Sequence, residues 1–144
     1  MMDGTASLHR RLALDGRPEP VRALRGLVSS FLRDRGVPEE VVRAVTLAFA
    51  EALDNAVEHG GSAHGQLEVW LRYTQRFVAV SLLDQGSDRV PLGRPVLPDA
   101  SAERGRGFQL MNRMMDSVRV RAYPGGGTRV SMLRYLHRGG EGRP

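Results

Sequence analysis

The 144-residue sequence contains no cysteine and no lysine, so all 21 of its basic residues are arginine. Without cysteine, the chain has no disulfide framework, no thiolate nucleophile and no thiolate zinc site. Without lysine, it has no Schiff base, no Walker-type lysine and no phosphate-anchoring lysine of the eukaryotic protein-kinase type. Any chemistry on a nucleotide phosphate must therefore use other groups.

The formal net charge of +5 is unevenly distributed along the chain. Residues 44–103 carry four arginines against eight acidic residues, whereas residues 104–144 carry nine arginines against two. A basic third can bind nucleic acid or an acidic protein, but a solvated basic face is commoner than either. We therefore do not expect direct nucleic-acid binding.

The N-terminal residues lack the apolar core of a signal peptide, and charges interrupt every apolar run before it could span a membrane. We therefore expect a cytoplasmic protein with no membrane segment. Its length and its 41% hydrophobic residues suit one domain over residues 1–144, with a core over about 8–136 and a disordered tail over about 137–144.

The hydrophobic period changes from about 3.6 to 2 after Gly60-Gly61, which predicts helices first and strands later. The expected elements are strands at about 8–14, 66–73, 77–83, 117–123 and 128–136, and helices at about 20–35, 38–59 and after residue 105. This order favours an α/β (α+β) two-layer sandwich, with a mixed, mainly antiparallel sheet covered on one face by helices.

Residues 85–104 contain two glycines and three prolines and show no periodicity, which predicts a long loop. A loop of this length within a compact domain is commonly a lid or a binding loop.

Three polar residues of the second helix, Glu51, Asn55 and His59, are spaced four apart and therefore share one stripe. Such a stripe is either a solvated face or the lining of a cleft. In a cleft, the Asn55 amide oxygen could bind a hard cation and the Glu51 carboxylate could act as a base. His59 fits a structural role beside the helix C-terminus.

Two further features can be structural or functional. Asp84 ends an apolar strand, where it either forms a turn or accepts a hydrogen bond from a purine amine. Gly105 and Gly107 flank the start of a helix, where free backbone N–H groups can bind an anion without a lysine.

Taken together, four segments resemble the N box and glycine boxes of the GHKL, or Bergerat-fold, ATPases. They are EALDNAVEHG, LLDQG, ERGRGFQLMNRMMDSV and GGGTRVSM. Within that superfamily, the sequence is most similar over about residues 8–136 to the anti-sigma-factor serine/threonine kinases of the RsbW and SpoIIAB type.

The resemblance implies a role for each matching residue in binding ATP and Mg²⁺. Asn55 would hold Mg²⁺, and Glu51 would be the catalytic base. Asp84 would bind the adenine amine with support from the Thr128 hydroxyl, and Gly86 would let the backbone approach the adenine.

The same resemblance implies a phosphate-binding stretch at the far end of the lid, formed by Gly105, Arg106, Gly107 and Phe108. The two glycines would cradle the phosphates. Arg106 is either solvated or supplies positive charge there.

The implied function is that of an ATP-dependent protein-serine/threonine kinase that is also an anti-sigma factor. Its partners would be a sigma factor and an antagonist of the STAS class, and it would form homodimers through the opening strand region. One position departs from the family pattern, since Asp88 stands where the glycine box has its second glycine. The alternative is a catalytically weak or nucleotide-free interaction module that acts by sequestration.

Overall fold

The computed structural model describes residues 4–59, 65–86, 106–123 and 127–137. Their helices and strands follow the predicted order: β1 Ala6–Leu14, α1 Pro18–Asp34, α2 Glu39–His59, β2 Gly65–Tyr73, β3 Phe77–Gly86, α3 Arg106–Met114, β4 Ser117–Ala122 and β5 Thr128–Tyr135. Most of the predicted lid, including Asp88, and the predicted tail beyond residue 137 lie outside the described residues.

The connection between α1 and α2 follows from local backbone chemistry. Gly36 adopts a positive φ of 76°, which an L side chain rarely tolerates, and it follows the end of α1 by two residues. The Val37 N–H then donates to the Leu32 carbonyl oxygen over 3.2 Å, which satisfies a carbonyl group at the end of α1. The Pro38 carbonyl oxygen accepts the first hydrogen bonds of α2, from the Val41 and Val42 N–H groups.

The described strands form one five-stranded sheet in the order β1-β2-β3-β5-β4. All four pairings among these strands are antiparallel. The predicted two-layer class is confirmed, although the described sheet is wholly antiparallel rather than mixed. β1 and β4 are the edge strands, and β3 is central.

The core lies between the sheet and the helices. Alternate residues of β2 (Leu67, Val69 and Leu71) are at most 1% exposed, so one face of the sheet is buried. From α2, Phe49 and Leu53 pack onto this face and are fully buried. The opposite face of the sheet carries no helix among the described residues.

The methionines of α3 and the one directly after it belong to the same core. Met111 and Met115 are buried, and Met114 packs against the core cluster. The interpretation of this methionine group as core packing is therefore confirmed.

No helix of the described residues is long and apolar enough to span a membrane.

Phe49 provides a direct test of the core. Replacing a fully buried Phe with Ala leaves a cavity, so Phe49→Ala should lower the free energy of unfolding by about 3–5 kcal/mol. Leu47 lies on the same helix but is 44% exposed, and Leu47→Ala should cost less than about 1 kcal/mol. Urea unfolding measures both values, and equal losses would contradict the placement of α2.

Candidate functional site

The polar stripe of α2 faces the first turn of α3. Glu51 and Asn55 lie one turn apart and are both half-buried. A Cβ atom built on Gly107 would lie 2.8 Å from Glu51 Oε1 and 4.0 Å from Asn55 Oδ1. The structure therefore brings these three sequence-predicted residues together. It also explains the glycine, because a side chain at position 107 would displace the Glu51 carboxylate.

The position of Glu51 suits the electrostatics of a helix start. The first N–H groups of a helix have no partner within it, and they form the positive end of its dipole. At the start of α3, Glu51 Oε1 and Asn55 Oδ1 lie close to this positive end. The start of α3 is therefore a helix terminus of the kind that can bind an anion, and the two oxygen atoms beside it are of the kind that hard cations prefer.

Two contacts hold α3 in this position. Phe108, the third residue of the helix, is half-buried and packs against the core. At the other end, Arg134 of β5 donates from Nη1 to the Met114 carbonyl oxygen over 2.6 Å. Arg134 is only 4% exposed, and its Nη2 also lies 3.6 Å from Glu40 Oε2 near the start of α2. It therefore links β5 to both helices.

Arg134 lies outside the four motif segments, although a signal for it exists in the sequence. Every second residue of β5 lies on the helix-covered face of the sheet, namely Thr128, Val130 and Met132. Position 134 continues this series. An arginine at an inward position needs partners, which here are a helix C-terminal carbonyl and an acidic residue.

The second part of the candidate site lies on the sheet. Asp84 of β3 pairs directly with Thr128, the first residue of β5. Asp84 is only 3% exposed and takes part in an interaction within the protein. The two residues that the resemblance assigns to adenine recognition are therefore cross-strand neighbours.

A bulge follows Asp84. In the pairing of β2 with β3, Leu67 pairs with Asp84 but Gln66 pairs with Gly86, so Gln85 is the extra residue. Bulges bend a strand and redirect its side chains, and they are common beside functional sites. β3 consequently continues to Gly86, beyond the end predicted at residue 83.

The remaining predicted residues are placed only in part. Arg106 is the first residue of α3, Gly86 is the last of β3, and His59 is the last of α2. Gly105 lies outside the described residues. Within the parts of the chain that the structure describes, no three His, Asp or Glu residues group in a way that could hold a metal ion.

The chain matches the family model described as "Histidine kinase-like ATPase domain" over residues 14–134. It is similar to a protein of Bacillus licheniformis named "Serine-protein kinase RsbW", with 30% identity over 133 residues that cover 85% of this chain and 82% of the relative. It is also similar to the "Anti-sigma F factor" of Pasteuria penetrans, with 32% identity over 100 residues that cover 69% of this chain and 64% of that protein.

Among solved structures, the fold resembles one that contains the RsbU and RsbW domains of a Mycobacterium tuberculosis protein. The TM-score is 0.65 and the sequence identity is 21%. The match covers 90% of this chain but only 32% of the mycobacterial one, so the likeness concerns the fold.

The contact between Gly107 and Glu51 can be tested by a double-mutant cycle. Gly→Ala within a helix normally stabilises a protein by up to about 1 kcal/mol. We expect that gain for Gly107→Ala in a Glu51→Ala background, whereas with Glu51 present the new Cβ must displace the carboxylate and the gain should shrink or reverse. Urea unfolding of the four proteins gives the coupling energy, expected to be at least about 0.5 kcal/mol.

The matched control is Gly26→Ala in α1, where an added Cβ would meet nothing within 4 Å. Its effect should be the same with and without Glu51. Additive behaviour of Gly107→Ala and Glu51→Ala would contradict the close approach of α3 to α2.

Proposed function

The chain belongs to the family of histidine kinase-like ATPase domains, and on that basis we propose that it is an ATP-dependent protein-serine/threonine kinase acting as an anti-sigma factor. One observation carries the proposal: Gly107, at the start of α3, lies against Glu51 and Asn55. This arrangement places a carboxylate, an amide oxygen and a helix N-terminus in one place, as a phosphoryl-transfer site requires.

Each group would contribute through position and charge. Bound Mg²⁺ would neutralise charge on the ATP phosphates, and the Asn55 amide oxygen would be its protein ligand. Residues of the Gly105–Phe108 stretch, including Arg106, would hold the phosphates with backbone N–H groups. The Glu51 carboxylate would orient the serine or threonine hydroxyl of the acceptor and take its proton. Phosphoryl transfer depends mainly on positioning and electrostatic stabilisation, so these groups suffice without a lysine.

Adenine would bind on the sheet side of the site. The buried Asp84 carboxylate would accept a hydrogen bond from the exocyclic amine of adenine, and the Thr128 hydroxyl opposite would support that contact. Gly86, which carries no side chain, would leave room for the base beside the bulge. A guanine carbonyl at the same place would face the carboxylate unfavourably, so ATP should be preferred over GTP.

The names of the similar proteins support the proposed partners. In the proposal, the protein sequesters a sigma factor and phosphorylates a STAS-type antagonist, so that the antagonist cannot release the sigma factor. A sigma factor acts on RNA polymerase, so this function requires a cytoplasmic location. We also propose a homodimer formed through the region of β1, which has a neighbour on one side only among the described strands.

Asp88 favours a second candidate function. If a positive φ is needed at this position of the glycine box, Asp adopts it less readily than Gly, and its charge would oppose nearby phosphates. The alternative is a catalytically weak or nucleotide-free module that controls its partner by sequestration alone. Binding of a sigma factor without measurable phosphorylation of any antagonist would favour this module over the kinase.

The proposed base can be tested by substitution. Glu51→Ala should lower the rate of phosphate transfer from ATP to a purified STAS antagonist by about 10²–10⁴-fold and leave ATP affinity largely intact. Asp54→Ala is the matched control, because it removes an exposed carboxylate from the same helix. Single-turnover transfer of labelled phosphate measures both, and transfer by Glu51→Ala at the wild-type rate would exclude the assigned role.

The proposed Mg²⁺ ligand can be tested by comparing ATP affinity with and without a metal chelator. In the wild type, we expect the chelator to weaken ATP binding by at least about tenfold, or ~1.4 kcal/mol. In Asn55→Ala this dependence should disappear, whereas Asn112→Ala, which alters an exposed asparagine of α3, should retain it. An unchanged chelator effect in Asn55→Ala would assign the metal to other groups.

A further inference from the structure

The face of the sheet opposite the helices carries a group of arginines on β4 and β5. In the pairing of these strands, Arg121 lies directly opposite Arg129, and Arg119 lies opposite Ser131. Together with Tyr123, these residues line a depression of about 470 Å³. We call these five residues the arginine face. All five side chains can donate hydrogen bonds, and three of them are permanently positive.

The positive charge of the arginine face is not neutralised by the described part of the protein. None of the ion pairs formed among residues 4–59, 65–86, 106–123 and 127–137 includes Arg119, Arg121 or Arg129. Like charges directly opposite each other on neighbouring strands destabilise a sheet. An anion bound between Arg121 and Arg129 would relieve that repulsion.

Among the described strand residues on this side of the sheet, one is acidic, and it already has hydrogen-bond partners. Glu68 of β2 accepts hydrogen bonds from His9 Nε2 over 2.7 Å and from Arg11 Nε over 3.1 Å. The hydrogen bond from His9 and then that from Arg11 hold the pKa of Glu68 below its usual value. Glu68 is therefore ionised at neutral pH and is paired toward β1, away from the arginine face.

Arg129 is held in place before any ligand binds. Its Nη1 donates to Ser81 Oγ over 3.3 Å, and its guanidinium carbon lies 5.2 Å from the centre of the Trp70 ring. A guanidinium fixed in this way loses little conformational freedom on binding, and its remaining N–H groups can form a bidentate contact with a carboxylate or phosphate.

The nature of the anion follows from the aromatic residues on this face. Proteins that bind single-stranded nucleic acid present open aromatic rings on which bases stack. Trp70 is not open in this way, because His9 stacks on it at 5.2 Å with an interplanar angle of 6°, and Arg129 also contacts it. The arginine face itself retains one aromatic ring, Tyr123. A row of carboxylates suits these guanidinium groups better than a series of bases.

The geometry of β4 suits an extended polypeptide. β4 is an edge strand that pairs only with β5 among the described strands, so one side of its backbone is open to pairing. An extended segment along this edge could form main-chain hydrogen bonds with β4. Side chains along one side of such a segment repeat every second residue and would follow Arg119 and Arg121.

We propose that the arginine face is a docking surface for an acidic, extended segment of a protein partner. Carboxylates of that segment pair with Arg119, Arg121 and Arg129, and the open edge of β4 aligns its backbone. The surface lies on the opposite side of the sheet from Glu51, Asn55 and Gly107. The proposal therefore does not depend on the proposed kinase activity.

The test measures binding of a fluorescein-labelled peptide of alternating glutamate and serine to the full chain by fluorescence anisotropy. At about 0.15 M salt, attraction between exposed charges is screened beyond about 8 Å, so direct contacts dominate. We expect saturable binding that weakens by at least about tenfold in the double variant Arg119→Gln/Arg121→Gln. The control Arg72→Gln/Arg76→Gln removes the same charge from exposed positions near the β2–β3 turn and should change the affinity by less than about twofold.

Three kinds of result would overturn the proposal. The first is a failure of the expected peptide binding, in which the wild type does not bind or both double variants weaken binding equally. The second is tighter binding of a thymidine oligonucleotide that is lost in Arg119→Gln/Arg121→Gln, which would make the surface a nucleic-acid site. The third is displacement of the peptide by inorganic phosphate at the same molar concentration, which would show a simple anion site. If Arg119→Gln/Arg121→Gln is unstable, the single variant Arg121→Glu replaces it and should weaken peptide binding by a similar factor.

Discussion

The close approach of α3 to α2 is the contact on which the account of the site depends. It exists because residue 107 has no side chain, so that Glu51 Oε1 can lie where a Cβ atom would otherwise be. A carboxylate is favourable at a helix N-terminus, so the position that we propose for the catalytic base is also electrostatically stable. Glu51 and Gly107, which lie in two of the segments that resemble family boxes and are more than fifty residues apart in the chain, meet at this contact.

The rest of the fold holds that contact in place. Phe49 and Leu53 fix α2 on the sheet, while Phe108 and the buried methionines fix α3 against the same core. Arg134 joins the C-terminal end of α3 to β5 and to Glu40 of α2. Because β5 also begins with Thr128 opposite Asp84, the same strand supports both parts of the candidate site.

Local sequence patterns predicted most of the helices and strands. They could not predict which strands pair or which residues far apart in the chain come into contact. The change of period separated helices from strands, and Gly36 and Pro38 marked a boundary because they constrain the backbone directly. The insertion of β5 between β3 and β4 has no local signal, since it depends on how strands pair across the sheet. The contact between Gly107 and Glu51 could be expected only from the resemblance to a known family. Arg134 and the arginine face could have been found by following the alternation of β4 and β5, which assigns each arginine to one side of the sheet.

The two faces of the sheet thus carry different groups. The covered face has the Glu51 and Asn55 oxygen atoms beside a helix terminus, and the other face has arginines that form no ion pair among the described residues. The central claim is that the covered face binds ATP. The most direct measurement is a calorimetric titration of the wild-type chain with ATP and with GTP in the presence of Mg²⁺. The account predicts one ATP bound per chain, with clearly weaker binding of GTP because Asp84 faces the base. No detectable binding of ATP at millimolar concentration, or equal affinity for both nucleotides, would contradict it.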